Sequence, residues 1–193
     1  MIKTTAILLE ELRDYASPKT KLSRMVRKGE CFPVVKGLYE TNRQVSPYLL
    51  AGSIYGPSYI SFEYALSYYG LIPETARTVT CATFEKKKKK MYKTPFGNFA
   101  YRDVPSEAFP LEIDLRKEGD YWFRIAFPEK ALCDELYTIR PVRNRKELAD
   151  LLFDDLRIEE SDLLNLNRET IGKLSPRYRS TNIKALCTFL KRL

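Results

Sequence analysis

The stretch from Gly56 to Glu74 restricts the fold more than any other part of the chain, because it is punctuated at both ends. Tyr59 and Ile60 read as a short extended entry. Ser61 is placed to cap a helix, since its hydroxyl can accept from the free amides of the next turn. Phe62, Ala65, Leu66 and Tyr69 recur at helical spacing on one face, with Tyr64 and Tyr68 as a second aromatic face. Gly70 suits a left-handed C-terminal cap, and Pro73 blocks any continuation. The residue types are those of a core helix. No chemistry is visible in it; its importance is positional, with a basic helix and hairpin before it and a basic strand pair after it.

On the N-terminal side, residues 4–15 are expected to be helical, with Leu8, Leu12 and Tyr15 as the apolar stripe. Ser17 and Pro18 then signal a new helix over residues 19–28, as cap and first-turn proline. Leu22, Met25 and Val26 cluster inward, Thr20, Lys21, Arg24, Arg27 and Lys28 outward, and Gly29 ends it. Two β-prone runs flank Lys36-Gly37, which reads as a tight hairpin turn. A basic helix followed directly by a small hairpin is the layout of a winged helix, in which the helix enters the major groove and the hairpin touches the backbone. It is also the layout of a solvated cationic helix beside a structural hairpin. Residues 45–55 form a connecting helix with Ser46 as cap and Pro47 at its first position.

On the C-terminal side, residues 78–84 and 98–104 read as strands by their β-branched and alternating residues. Between them lie Lys86, Lys87, Lys88, Lys89 and Lys90, which cannot all pack and must occupy a solvated loop or an edge. There they either guard the edge against aggregation or contact phosphates. Residues 105–120 read as a polar, acidic connection. Residues 121–126 form another strand, carrying the single Trp, and a helix opens at Pro128 and runs to about Ile139. The last third is helical, over about 145–156, 159–164, 168–174 and 181–193. Its core is Leu151, Leu152, Leu156, Leu163, Leu164, Leu166, Leu174, Leu186, Phe189, Leu190 and Leu193.

Charge narrows the partners. The net charge of +8 is unevenly spread: residues 15–43 carry seven basic against two acidic groups, and residues 76–104 carry eight against two. Two compact basic blocks point to a polyanion. Residues 105–155 are acidic, eight against twelve, so part of the surface faces elsewhere. The chain contains no histidine, which excludes Ser-His and Cys-His nucleophiles and His-ligated metals. Cys31, Cys81, Cys133 and Cys187 are widely spaced among apolar neighbours and read as free thiols in a reducing compartment. No cofactor or metal is expected. Glu129-Lys130 after a strand resembles part of a nuclease metal site but lacks a second carboxylate. No apolar run approaches the roughly 18 residues of a membrane span, and the N-terminus turns acidic too early for a secretory signal. A cytoplasmic protein without membrane contact is expected.

Several segments, in order, resemble a known family. Leu22 to Glu30 followed by Val35-Lys36-Gly37-Leu38-Tyr39 resembles the second half of the winged-helix domain of AbiEi-family antitoxins. Tyr59-Ile60-Ser61 and Ala65 to Glu74 resemble that family's central segment. So do Val79-Thr80 with the basic run, Thr94-Pro95-Phe96-Gly97 and Phe99 to Arg102. Pro128-Glu129-Lys130-Ala131-Leu132-Cys133-Asp134 resembles its Pro-Glu-Lys-Ala-Leu motif. The likeness covers roughly residues 5–140. In one respect the chain departs from it: the family unit has a helix between the first helix and the recognition helix, where this chain has only Ala16-Ser17-Pro18.

The resemblance implies the antitoxin half of an abortive-infection (phage-defence) operon. Such a protein represses its own promoter through the winged helix and opposes a nucleotidyltransferase-type toxin through its C-terminal region. The expected fold is α+β: an abbreviated winged-helix domain over 1–43 and an antitoxin domain over 44–193. The latter is α+β to about 140, with an antiparallel strand pair, and helical from 141. The expected function is a non-enzymatic toxin–antitoxin repressor on promoter DNA with inverted repeats. Its contacts would be Lys19, Thr20, Lys21, Arg24, Arg27, Lys28 and Lys36, with Lys86 to Lys90 as a second phosphate surface. The alternatives are an antitoxin acting mainly by direct toxin contact and, more remotely, a carboxylate-metal nuclease.

Overall fold

The computed structural model describes residues 1–192, so Leu193 lies outside the described residues. It is an α+β fold. The chain opens with a strand that the sequence did not suggest, β1 (Ile2–Thr4). Helix α1 (Thr5–Glu11) follows, capped by the Thr4 hydroxyl, which accepts from Ile7 N–H. It is shorter than the expected 4–15. Leu8 and Leu12 are buried as expected, but Tyr15 is exposed. Helix α2 (Pro18–Lys28) begins and ends as its proline and glycine dictate, and Gly29 closes it at φ 71°. Strands β2 (Phe32–Val35) and β3 (Leu38–Glu40) form the hairpin, with Gly37 at φ 85°. Strand β1 adds to β3, giving a small sheet in the order β1-β3-β2. Leu8, Leu12, Leu22 and Cys31 make a core of their own beneath it.

A 3-10 turn (Pro47–Leu50) and α3 (Ala51–Ile54) lead to β4 (Tyr59–Ile60) and α4 (Phe62–Tyr68). Phe62, Ala65 and Leu66 of α4 are buried, and Gly70 is left-handed at φ 72°, both as the spacing requires. The Ser61 expectation fails in detail. Its hydroxyl caps nothing and instead donates to Asp134 Oδ2 at 2.6 Å.

The larger sheet comprises β4, β5 (Thr78–Thr83), β6 (Lys90–Thr94), β7 (Gly97–Asp103), β8 (Ile113–Glu118) and β9 (Tyr121–Ala126), in the order β6-β7-β5-β4-β9-β8. Antiparallel pairing joins β6 to β7, β4 to β5 and β8 to β9. The two strands legible in residues 78–104, β5 and β7, pair parallel, Val79 opposite Phe99. The short β6 returns along the outer edge of β7 and permits this. The supposed connection at 105–120 contains β8, whose charged side chains disguise a strand held by β9.

Helix α5 (Pro128–Thr138) packs beside α4 and the C-terminal helices. These are α6 (Arg145–Ala149) with a π-helical continuation (Asp150–Asp155), α7 (Glu160–Asn165), α8 (Arg168–Tyr178) and α9 (Thr181–Leu190). Helix α8 runs past the expected end at Leu174 and carries Pro176 inside it. Leu164, expected in the core, is exposed. Sheet and helices share one continuous apolar core.

Candidate nucleic-acid interface

Helix α2 presents its polar residues as its periodicity demands. Leu22 is buried, while Met25 and Val26 are half-buried against Leu8, Leu12 and Cys31. Lys19, Thr20, Arg24, Arg27 and Lys28 are exposed and Lys21 is half-exposed. They are not one uniform surface. Thr20, Lys21, Arg24 and Lys28 border a shallow concavity with Tyr15, Met25 and Glu30. Lys19 lies on the other flank, toward Pro33 and Tyr39 of the hairpin. Two of the six have local contacts: the Thr20 hydroxyl is 2.8 Å from Ser17 Oγ, and Lys21 Nζ stands 4.8 Å over the Tyr15 ring.

The hairpin tip is fixed to the helices, since Thr5 N–H donates to the Gly37 carbonyl at 2.9 Å. Lys36 stands exposed there. Among the described residues, none of the cations of α2 and the hairpin tip is within ion-pair distance of a carboxylate. By contrast, Arg13 is paired with Glu10, and Lys3 with Glu11.

The five lysines do not act alike. Lys86 Nζ donates to the Gly56 carbonyl at 3.2 Å and lies 5.3 Å over the Tyr55 ring. Lys87 has a left-handed backbone, φ 56°, and its N–H donates to Asp103 Oδ2 at 2.7 Å. Lys87, Lys88 and Lys89 are exposed, while Lys90 is half-buried as the first residue of β6, opposite Tyr101. The run is also separated from the α2 unit. That unit meets β9 where Glu40 accepts from Tyr121 OH at 2.9 Å, and meets β6 at its other end, where Phe32 packs edge-on against Phe96. Four strand rises, about 14 Å, lie between.

Sequence reasoning missed a second group of polar residues, which is buried. Lys130 and Asp134 of α5 are fully buried and joined at 2.8 Å. Asp134 also accepts from Tyr59 OH at 3.0 Å, from Ser61 and from Tyr178 OH, and Tyr178 OH in turn accepts from Lys130. The ammonium lies 5.3 Å over the Tyr59 ring and 4.8 Å over that of Tyr178. Burial, and then the Asp134 charge, hold both phenols well above their ordinary range. Every member has a partner, so the cluster locks β4, α5 and α8 together. The Pro-Glu-Lys-Ala-Leu-Cys-Asp run therefore works here as a fastening. Its Glu129 is likewise engaged, accepting Asn167 N–H at the start of α8 at 2.8 Å.

Beside this cluster, Arg102 pairs with Glu63, reaches to 4.0 Å from Glu135 and lies 4.2 Å over the Phe62 ring. Burial, reinforced by the Glu63 charge, pushes the Glu135 carboxyl up to about 7. Among the described residues, no group of three His, Cys, Asp or Glu side chains is placed to hold a metal ion, and no helix is long and apolar enough to cross a membrane. The four cysteines are free, and three of them are buried. Comparison with the models of known protein families finds no match, and comparison with curated proteins finds none either.

Proposed function

We propose that this chain is a non-enzymatic, DNA-binding antitoxin that represses its own toxin–antitoxin operon in the cytoplasm. It binds inverted repeats in promoter DNA and opposes a nucleotidyltransferase-type toxin. The observation that carries this reading is the outer face of α2. Among the described residues, no carboxylate lies within ion-pair distance of Lys19, Lys21, Arg24, Arg27 or Lys28, and the hairpin that follows the helix offers Lys36 at its tip. A helix of that width fits the major groove, and cations beside it reach the phosphates. Lys87, Lys88 and Lys89 supply a separate phosphate surface.

The test is a gel shift on the chain's own upstream DNA against scrambled DNA at two salt concentrations. The expected result is promoter-selective binding that weakens with salt, and a shallower salt slope when Arg24, Arg27 and Lys28 are reversed to Glu. Equal, weak binding to both DNAs, or a salt slope untouched by the reversal, would overturn it.

A second reading is an antitoxin acting by direct contact with an acidic toxin surface. It is favoured by a concavity of about 230 Å³ between α6 and α9, where Arg143, Arg145 and Arg192 surround Leu148, Ala185 and Phe189. A stable toxin complex with no DNA affinity would support it.

A further inference from the structure

The two edges of the larger sheet are guarded differently. Strand β6 flanks its exposed Met91 with lysines at 90 and 93 and meets the N-terminal unit through the turn that follows it. On the opposite edge, β8 leaves Leu115 56% exposed, and its neighbour β9 leaves Trp122 61% exposed. The register sets Leu115 opposite Arg124 and Lys117 opposite Trp122, so these four share one open face of the hairpin. Asp114 and Arg116 lie on the other face, joined at 2.6 Å.

The backbone of β8 also has two sides. Phe127 N–H donates to the Glu112 carbonyl at 3.0 Å, which makes that a hydrogen-bonded pair. At the other end the two-residue turn Gly119-Asp120 closes on Glu118 and Tyr121. Asp114 and Arg116 therefore direct their amides and carbonyls to β9. Ile113, Leu115 and Lys117 direct theirs to the open edge.

We propose that the β8 edge is an interface with a second copy of this chain, paired antiparallel about a two-fold axis at Leu115. In this register Leu115 faces its counterpart, and Ile113 faces Lys117 on either side. Two bonds for each of the three facing pairs make about six hydrogen bonds. On the other face Asp114 stands opposite Arg116, twice. Neighbouring registers set like charges against one another. An axis at Arg116 opposes Arg116 to itself and Asp114 to Glu118, and an axis at Asp114 opposes Asp114 to itself. Such pairs destabilise a sheet, so charge selects one register of an isologous contact, with the same patch on both copies. The pairing would run the two sheets into one and shelter Leu115.

The test measures the mass of the full chain in solution, by light scattering after gel filtration, across a wide range of concentration and without DNA. The wild-type chain is expected to reach the mass of two copies. Leu115→Pro removes the amide on the axis and is expected to give a single copy with unchanged circular dichroism, because an edge strand tolerates proline where its N–H faces solvent. Asp114→Arg is expected to weaken association about tenfold or more, and adding Arg116→Asp to restore it. A single copy of the wild type at every concentration, or an unchanged dimer in Leu115→Pro, would overturn the proposal. So would a monomeric wild type whose Trp122 fluorescence is quenched by a single-stranded oligonucleotide, since the patch would then be a stacking platform. With no promoter DNA present, this result is independent of the repressor reading.

Discussion

On α2, Lys19 and Lys28 are exposed, and among the described residues no carboxylate lies within ion-pair distance of either. On α5, Lys130 is fully buried, 2.8 Å from Asp134 and bonded to Tyr178. The same residue type thus serves two opposite purposes within one chain. An exposed cation costs little to keep and is available to a partner. A buried one is tolerable only when every proton and lone pair is matched, and it then binds the surrounding elements together. The contrast also divides the motifs of the family resemblance. The basic helix and hairpin are surface, while the Pro-Glu-Lys-Ala-Leu-Cys-Asp run is interior.

The largest effect that would test this contrast is on Asp134. Asp134→Ala leaves a buried ammonium unpaired and is expected to cost about 3–5 kcal/mol in denaturant unfolding. A loss below about 1 kcal/mol would mean that water reaches Lys130 and that the two regions differ less than the geometry indicates. Tyr178→Phe removes one hydroxyl shared by Lys130 and Asp134. Its expected cost is about 1.5–3 kcal/mol, the range for a hydrogen bond to a charged group.

A third test uses pH. The Glu135 carboxyl is raised from 4.5 to about 7 by burial and then by Glu63, so it holds its proton more tightly folded than unfolded. Its contribution to stability is complete below 4.5 and is lost as pH rises from there through about 7. Glu135→Gln keeps the neutral form throughout. It is expected to gain roughly 1–2 kcal/mol over the wild type at pH 8 and almost nothing at pH 4. Equal stability at both would place the charge in water. The smallest expected effect is on the helix surface. Arg24→Glu, Arg27→Glu and Lys28→Glu together should change stability by no more than about 0.5 kcal/mol each. The salt slope of DNA binding should fall by about three. A large loss of stability would show that the helix face is structural.

What was legible in the sequence is what neighbouring residues decide. Pro18, Gly29 and the Leu22-Met25-Val26 stripe determine α2 within one segment, so its extent and outer face could be read directly. Gly37 marked its hairpin in the same way. Ser61 shows the limit. Its position before Phe62 announces a cap, but its hydroxyl binds Asp134, far along the chain, and no local rule reports that partner. Strand β8 was hidden for a similar reason. Ile-Asp-Leu-Arg-Lys-Glu reads as a polar link, and only pairing with β9 makes it a strand. The parallel pairing of β5 with β7 likewise depends on how β6 turns back. The buried cluster was the least visible, because lysine, aspartate and tyrosine look identical on paper whether they end inside or outside.

The position of β4 governs when this protein can finish folding. This two-residue strand lies between β5 and β9, with Ile60 opposite both Cys81 and Ile125. Helix α2 is specified within one segment, whereas the small sheet needs Ile2 to meet Glu40, and its Val34 packs into the main core. The centre of the main sheet must wait for Ile125. Asp134 waits longer still, its last hydroxyl arriving only with Tyr178. Long-range closure of this kind is slow. While synthesis proceeds, the cationic residues of α2 therefore emerge well before the sheet and the buried cluster that complete the body behind them can close.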